Sequence, residues 1–423
     1  MGNETPGVSS ETTEKSKRQA VVIIHGIGEQ RPMETLTNFI DAVWRTDKQQ
    51  TEMYEPKVYS KPDHVSENFE LRRLTTNKNK NNYVTEFYEY YWAHMMDGNQ
   101  LHHLWTWSKK LLLGKLPPVL NLVRWVLLIL LSITLALVFY LFNSDIHLPF
   151  HILKIGGLML TFILIPWVTS ILTDIAGDAA RYIDASPRNV KARQEIRKSG
   201  VALIKSLHDS GKFDRIILVG HSLGSMIAYD ILTFSFPLIQ GEFPKGKHLP
   251  AAKAVAEYTL SGITDVQHFQ NLQAEAFREQ KNLNHGWLVS DFITLGSPLT
   301  YADVLWSGDK KLHHRRVEEK VLPVCPPVLE NDGFIYSHDA RKYHHAAHFA
   351  MTRWTNIYFP QKLLIFGDLI SGPLQSVFGK GVRDIKSWYH GKLGLFSHTK
   401  YWKPSKNNRH LVELRNAINL LDL

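Results

Sequence analysis

A single cysteine, Cys325, stands in a chain of 423 residues. That excludes an internal disulfide, a disulfide-stapled secreted fold and a cysteine-based zinc cluster. No Walker-type or dinucleotide-type glycine pattern occurs, so no nucleotide cofactor is implied. Long tracts of one charge are also missing, although 49 Lys and Arg against 40 Asp and Glu give a formal charge of +9. Such a surplus favours anionic surfaces, membranes or nucleic acid. It comes without any RNA- or DNA-module signature, so nucleic acid is not an expected partner. Residues 1–19 lack the apolar stretch of a signal peptide and read as a polar, disordered lead. Met1-Gly2 invites N-myristoylation, but Pro6 stands where that motif wants Ser or Thr. What is present is globular in composition, 44% apolar and 21% charged. The length suits two to three average domains, or one large domain with insertions.

The first ordered element is the run Ala20, Val21, Val22, Ile23, Ile24, ending in His25-Gly26-Ile27-Gly28. An unbroken β-branched run bounded by glycines fits a strand buried on both faces of a parallel sheet. Helical spacing follows over 34–47, and 83–92 is dense in Tyr, Phe and Val, as a strand would be. Further strands are expected at 215–219, 292–295 and 354–358, a charged helix at 186–208 and a terminal helix at 411–421. Strands alternating with helices imply an α/β fold around a mainly parallel sheet.

Between these halves the character changes. Residues 125–142 and 155–172 contain no charged side chain. Each segment, as a helix, would reach ~27 Å, close to a bilayer's hydrocarbon core. The short link between them makes a hairpin whose ends return to one side, with two buried core helices as the alternative. Lys109, Lys110, Lys115, Arg124, Arg181, Arg188 and Lys191 flank the outer ends, against Lys154 alone on the connecting side. The positive-inside rule then puts the main body on the cytoplasmic face of an integral membrane protein. Trp105, Trp107, Trp125 and Trp167 are candidates for the interfacial aromatic belt.

The strand at 215–219 runs straight into Gly220-His221-Ser222-Leu223-Gly224, and a helical pattern follows. This is G-x-S-x-G in a strand–turn–helix setting. Glycines suit it because the turn is so tight that a flanking Cβ would clash, and the bend lifts the serine hydroxyl clear of the sheet. Ser222 is therefore the expected nucleophile. An oxyanion hole needs two N–H groups aimed at the developing charge. Leu223 supplies one. The loop after the first strand is expected to supply the other, from Ile27 or, failing that, Gly28.

The His-Gly after an early strand, the GHSLG turn and the order of strands resemble the α/β-hydrolase superfamily of serine esterases and lipases. The likeness covers 20–92 and about 180–400. In flavour, HGIG and GHSLGS look most similar to membrane-associated lipase-like hydrolases of the GPI inositol-deacylase type. The resemblance implies a fold made of 20–108 and 176–423, with 109–175 inserted as a membrane hairpin. It also implies the order Ser, acid, His. His398, in a loop before the last helix, is the expected base, with His390 at the end of a last strand as the alternative; His410 sits on the approach to the terminal helix. Asp368, the first carboxylate after the strand at 354–358, is the expected acid, and Asp303 is the alternative.

Two other clusters carry less. His344, His345 and His348 could be drawn around a metal, but no Glu completes an H-E-x-x-H pattern, and no metal is expected. The stretch 310–316 is basic and reads as a solvated or headgroup-facing loop. The resemblance implies a membrane-anchored serine hydrolase acting on lipid acyl esters, without a cofactor. A thioesterase or amidase using the same residues, and an inactive hydrolase-fold scaffold, are the competing readings. Oligomeric state and acyl specificity leave no mark on the sequence.

Overall fold

In a computed structural model of the chain, the described residues are 16–26, 31–47, 56–66, 68–96, 186–244, 248–330, 333–334, 341–361, 367–390 and 397–422, with scattered positions between 121 and 183. Eight strands form one sheet: β1 (Lys17–Ile24), β2 (Val58–Pro62), β3 (Arg72–Thr76), β4 (Tyr83–Tyr90), β5 (Arg215–His221), β6 (Val289–Leu295), β7 (Arg353–Tyr358) and β8 (Arg383–Lys386). Their order is β2-β3-β4-β1-β5-β6-β7-β8. From β4 to β8 every neighbour is parallel, while β2 and β3 add an antiparallel edge.

β1 explains why the first apolar run does not alternate. It pairs on both sides, Val22 opposite Tyr88 of β4 and Leu218 of β5, and both its faces are covered. Ala20, Val22 and Ile24 pack with Leu218 and Phe292 on one face. Val21 and Ile23 pack with Phe87, Ile217 and Ile293 on the other. The first face is roofed by helices α2 (Pro187–Asp209), α3 (Leu223–Ile239), α4 (Pro250–Leu260) and α5 (Val266–Asn282). Helix α1 (Glu34–Ile40) and the terminal helix, Arg409–Ile418, cover the second. Burial on two sides is what requires apolar residues at every position of a central parallel strand.

Two sequence expectations change. The helix at 34–47 is α1 followed by a π-helical turn, Asp41–Arg45. The wider turn brings Ala42, Val43 and Trp44 inward consecutively, which a 3.6-residue period does not do. The basic stretch 310–316 lies in helix α6 (Lys310–Glu318) rather than a loop, because the Asp309 carboxylate caps it by accepting the Leu312 N–H at 2.8 Å. The strands β2 and β3 have no sequence signature: the edge strand β2, VYSKP, is exposed and carries a proline, and β3, RRLTT, is short and opens with two arginines. Most of the apolar segments 125–142 and 155–172 lie outside the described residues. Among the described residues, no helix is long and apolar enough to cross a membrane.

Candidate active site

At the C-terminal end of β5 the chain turns on Ser222 and enters α3 at Leu223. Ser222 has φ 54 and ψ −130, a region that a residue with a Cβ rarely occupies. Its own backbone is held there: the Ser222 N–H donates to Leu295 O at 2.9 Å, and its carbonyl accepts the Ser225 N–H at 2.9 Å. The flanking glycines are required by backbone contact. A Cβ on Gly220 would come within 2.5 Å of Ser225 Cα, and one on Gly224 within 2.2 Å of Ile24 O.

Three side chains that the sequence singled out meet at this turn. The Ser222 hydroxyl donates to His398 Nε2 at 2.7 Å. His398 Nδ1–H donates to Asp368 Oδ2 at 2.9 Å. A carboxylate at Nδ1 fixes the tautomer, leaving the Nε2 lone pair to face the serine. Asp368 sits in the loop after β7, and His398 in a 3-10 turn, Ser397–Thr399, after β8. The two loops are tied by the Ser397 N–H donating to Gly367 O at 3.1 Å. Gly367 has φ 91, and a Cβ there would strike Pro360 O at 2.3 Å.

Asp368 is buried. Burial acts to raise its pKa, but the charge and hydrogen bond of His398, the Ile370 N–H and the Tyr401 hydroxyl outweigh that and hold it at about 2. The Ile370 N–H reaches Oδ1 at 2.9 Å and the Tyr401 O–H reaches Oδ2 at 2.7 Å. The alternatives are elsewhere. Asp303 accepts the N–H of its neighbour Val304 at 2.9 Å and makes no hydrogen bond to His398. His390 lies beyond the end of β8, exposed, and is not part of a strand. His410 is buried and donates to Lys403 O at 2.8 Å.

Two residues here were not singled out in advance. Tyr401 stacks on Phe359 with ring centroids 4.2 Å apart, and its oxygen accepts the Phe359 N–H at 3.1 Å. Held this way, its hydroxyl proton points to Asp368. His221 Nε2–H donates to the His398 carbonyl at 2.8 Å, fixing the turn that carries the imidazole. Burial, reinforced by His398, pushes the pKa of His221 down to about 3, so it acts as a neutral strut. His221 is the variable position of G-x-S-x-G, and Tyr401 stands three residues after His398, just past the 3-10 turn. Only that spacing pointed to them.

Of the two expected oxyanion donors, Leu223 is the first residue of α3, so its N–H has no intrahelical acceptor. Ile27 and its alternative Gly28 lie outside the described residues. The ends of their segment are fixed. A Cβ on Gly26 would come within 2.7 Å of Ser222 Cβ, so the chain leaves β1 directly against the serine. His25 Nδ1–H donates to Gly26 O at 2.8 Å, and the Trp92 indole N–H donates to His25 O at 3.0 Å. At the far end, the Met33 N–H donates to Glu89 Oε2 at 2.7 Å. Burial raises the pKa of Glu89 to about 7. The anchors are Glu89, at the end of β4, and Trp92, two residues beyond it.

Two of the three histidines considered for a metal are otherwise engaged, and His348 is buried among aromatic rings. His344 donates to Val328 O at 2.9 Å and His345 to Lys320 O at 3.0 Å. Among the described residues, no group of three or more His, Cys, Asp or Glu side chains is placed to hold a metal ion. No family model, curated protein or solved structure matches this chain.

Proposed function

We propose that the chain is a membrane-anchored serine hydrolase of the α/β-hydrolase type that cleaves acyl esters, those of lipids foremost. The observation that carries this reading is the continuous hydrogen-bonded chain from Ser222 through His398 to Asp368, set on a strained serine turn. In the proposed reaction the Ser222 oxygen attacks the acyl carbonyl while its proton passes to His398 Nε2. The carbonyl π electrons move onto oxygen, where the N–H groups of Leu223 and Ile27 receive the charge. Collapse of that intermediate breaks the bond to the alcohol, which leaves with the proton from His398. Water then attacks the acyl-serine, giving one proton to His398; the bond from the acyl carbon to the Ser222 oxygen breaks, the acid leaves, and His398 returns the proton to Ser222. Asp368 stays ionised throughout, holding the imidazole tautomer and stabilising its positive form. No cofactor enters these steps.

The lipid assignment rests on the two uncharged segments and on the basic residues at their outer ends, read as a hairpin with the catalytic body on the cytoplasmic side. Alkaline carbonate extraction tests it: the chain should stay with the membrane pellet, and release into the supernatant would remove the anchor from the proposal. For the chemistry, a fluorophosphonate probe should label the wild type and not Ser222→Ala. An unlabelled wild type would leave the scaffold reading standing. Labelling without ester turnover, but with thioester or amide cleavage, would move the activity to a thioesterase or amidase.

A further inference from the structure

The opposite end of the sheet carries a second polar cluster that the proposed chemistry does not use. Arg215, Arg353 and Arg383 are the first residues of β5, β7 and β8. Helix α5 presents Arg278 above them, and Lys281 follows just before its end. A cavity of about 80 Å³ opens here between Arg215, Arg278, Lys281, Arg353 and Asp422. It lies ~20 Å from Ser222, the length of β5.

Among the described residues of this cluster, basic side chains outnumber acidic ones. Arg215, Arg278, Lys281, Arg353 and Arg383 stand against Asp214, Asp291 and Asp422. The three carboxylates are already taken: Asp291 by Arg353 at 2.7 Å, Asp422 by Arg215 at 2.8 Å and Asp214 by Lys281 at 3.0 Å. Arg278 and Arg383 make no ion pair or side-chain hydrogen bond among the described residues. Arg353 uses Nε and Nη2 on Asp291, and its Nη1 has no hydrogen-bond partner among the described residues. Burial lowers the pKa of Arg215, and burial followed by the neighbouring charge of Arg353 lowers that of Arg383. Both directions mark cations held where their charge is unwelcome.

We propose that this cavity binds a phosphate group, with Arg278, Lys281 and the free Nη1 of Arg353 as its donors. Guanidinium forks match tetrahedral oxyanions, and charge-assisted bonds are the strong ones. The volume holds a few water molecules' worth of ligand, which fits a phosphate and not a nucleoside. The group can arrive free or on a phosphorylated glycerol headgroup.

Arg278 is the clean probe, because it is exposed and its contribution to the rest of the cluster is through-space charge on Asp422. The full chain in detergent, titrated with orthophosphate and separately with glycerol 3-phosphate at constant ionic strength, should rise in melting temperature. Arg278→Gln should weaken binding at least about tenfold while fluorophosphonate labelling of Ser222 stays unchanged. A larger rise with glycerol 3-phosphate assigns the ligand to an esterified headgroup, and a larger rise with orthophosphate assigns it to the free ion. No rise with either, or an equal rise in Arg278→Gln, overturns the site. Because labelling is read separately, loss of this site and loss of the hydrolase reading are distinguishable.

Discussion

The two ends of one parallel sheet treat charge in opposite ways. At the C-terminal end, a single carboxylate, Asp368, receives three donors and is held at a pKa of about 2. At the N-terminal end, guanidinium groups outnumber carboxylates, and Arg278 and Arg383 are left unmatched. The first end is complete in itself: its donors are spent on orienting one imidazole toward one serine. The second holds surplus donors around an open cavity. A buried ion that is fully matched organises its neighbours, whereas unpaired cations beside an open cavity stay available to an anion.

The sharpest break between the two ends is kinetic. Ser222→Ala and His398→Ala should each lower ester turnover by up to ~10⁶-fold, and the double variant should lose little more, since the two act as a unit. Arg278→Gln at the other end should leave turnover intact. Additive losses in the double variant would show that serine and imidazole work separately.

Next in size is the carboxylate. Asp368→Asn preserves shape but favours the wrong imidazole tautomer, a change worth roughly 10⁴-fold in serine proteases. Turnover should collapse while the melting temperature holds. Asp303→Asn, which removes only a bond to the next residue's N–H, should stay near normal. The reverse outcome would transfer the acid to Asp303.

Tyr401→Phe sharpens the comparison further. It takes one of three donors from Asp368, so the matched end becomes slightly less matched. A hydrogen bond to a charged group is worth about 1.5–3 kcal/mol, of which part is regained from water. Turnover should drop about tenfold, and the acid limb of the rate profile should shift upward as Asp368 becomes easier to protonate. An unchanged profile would reduce Tyr401 to a packing residue.

The smallest effect concerns a buried base with no partner at all. Both ring nitrogens of His348 are unsatisfied, and burial pushes its pKa down to about 3. In the unfolded chain an imidazole takes its proton at about 6.5. The unfolded state therefore binds more protons as pH falls. The stability from neutral burial is full above that value and is lost as pH drops toward the folded pKa, by up to ~1.4 kcal/mol per pH unit. His348→Met should flatten the fall in melting temperature between about pH 6.5 and 5. An identical slope in both proteins would locate the acid sensitivity elsewhere.

Local features were the legible ones. The run at 20–24 sits in β1, and the G-x-S-x-G turn joins β5 to α3, because each depends on residues a few positions apart. The strands β2 and β3 were not legible, since the exposed edge strand β2 and the short, arginine-led β3 both look like polar loops. The π-helical turn at Asp41–Arg45 was hidden for a different reason: only packing against the sheet makes three consecutive inward residues favourable. Helix α6 could have been found from Asp309, whose side chain caps it. The cluster of arginines at the strand starts left no pattern, because its members are scattered from Arg215 to Arg383.

By itself the sequence determined the parallel-sheet class and the serine turn. Strand burial and turn strain are set by side chains next to one another in the chain, and glycine or a β-branched residue declares them directly. Only the tertiary structure decided which carboxylate meets which imidazole. His398 reaches Ser222 across 176 positions and Asp368 across 30. Such meetings depend on where β7 and β8 end and on how the Ser397 N–H ties their loops together. Hydrogen bonds of 2.7–2.9 Å are set by sheet register and loop packing, and no spacing rule along the chain encodes a distance between loops that are remote in sequence.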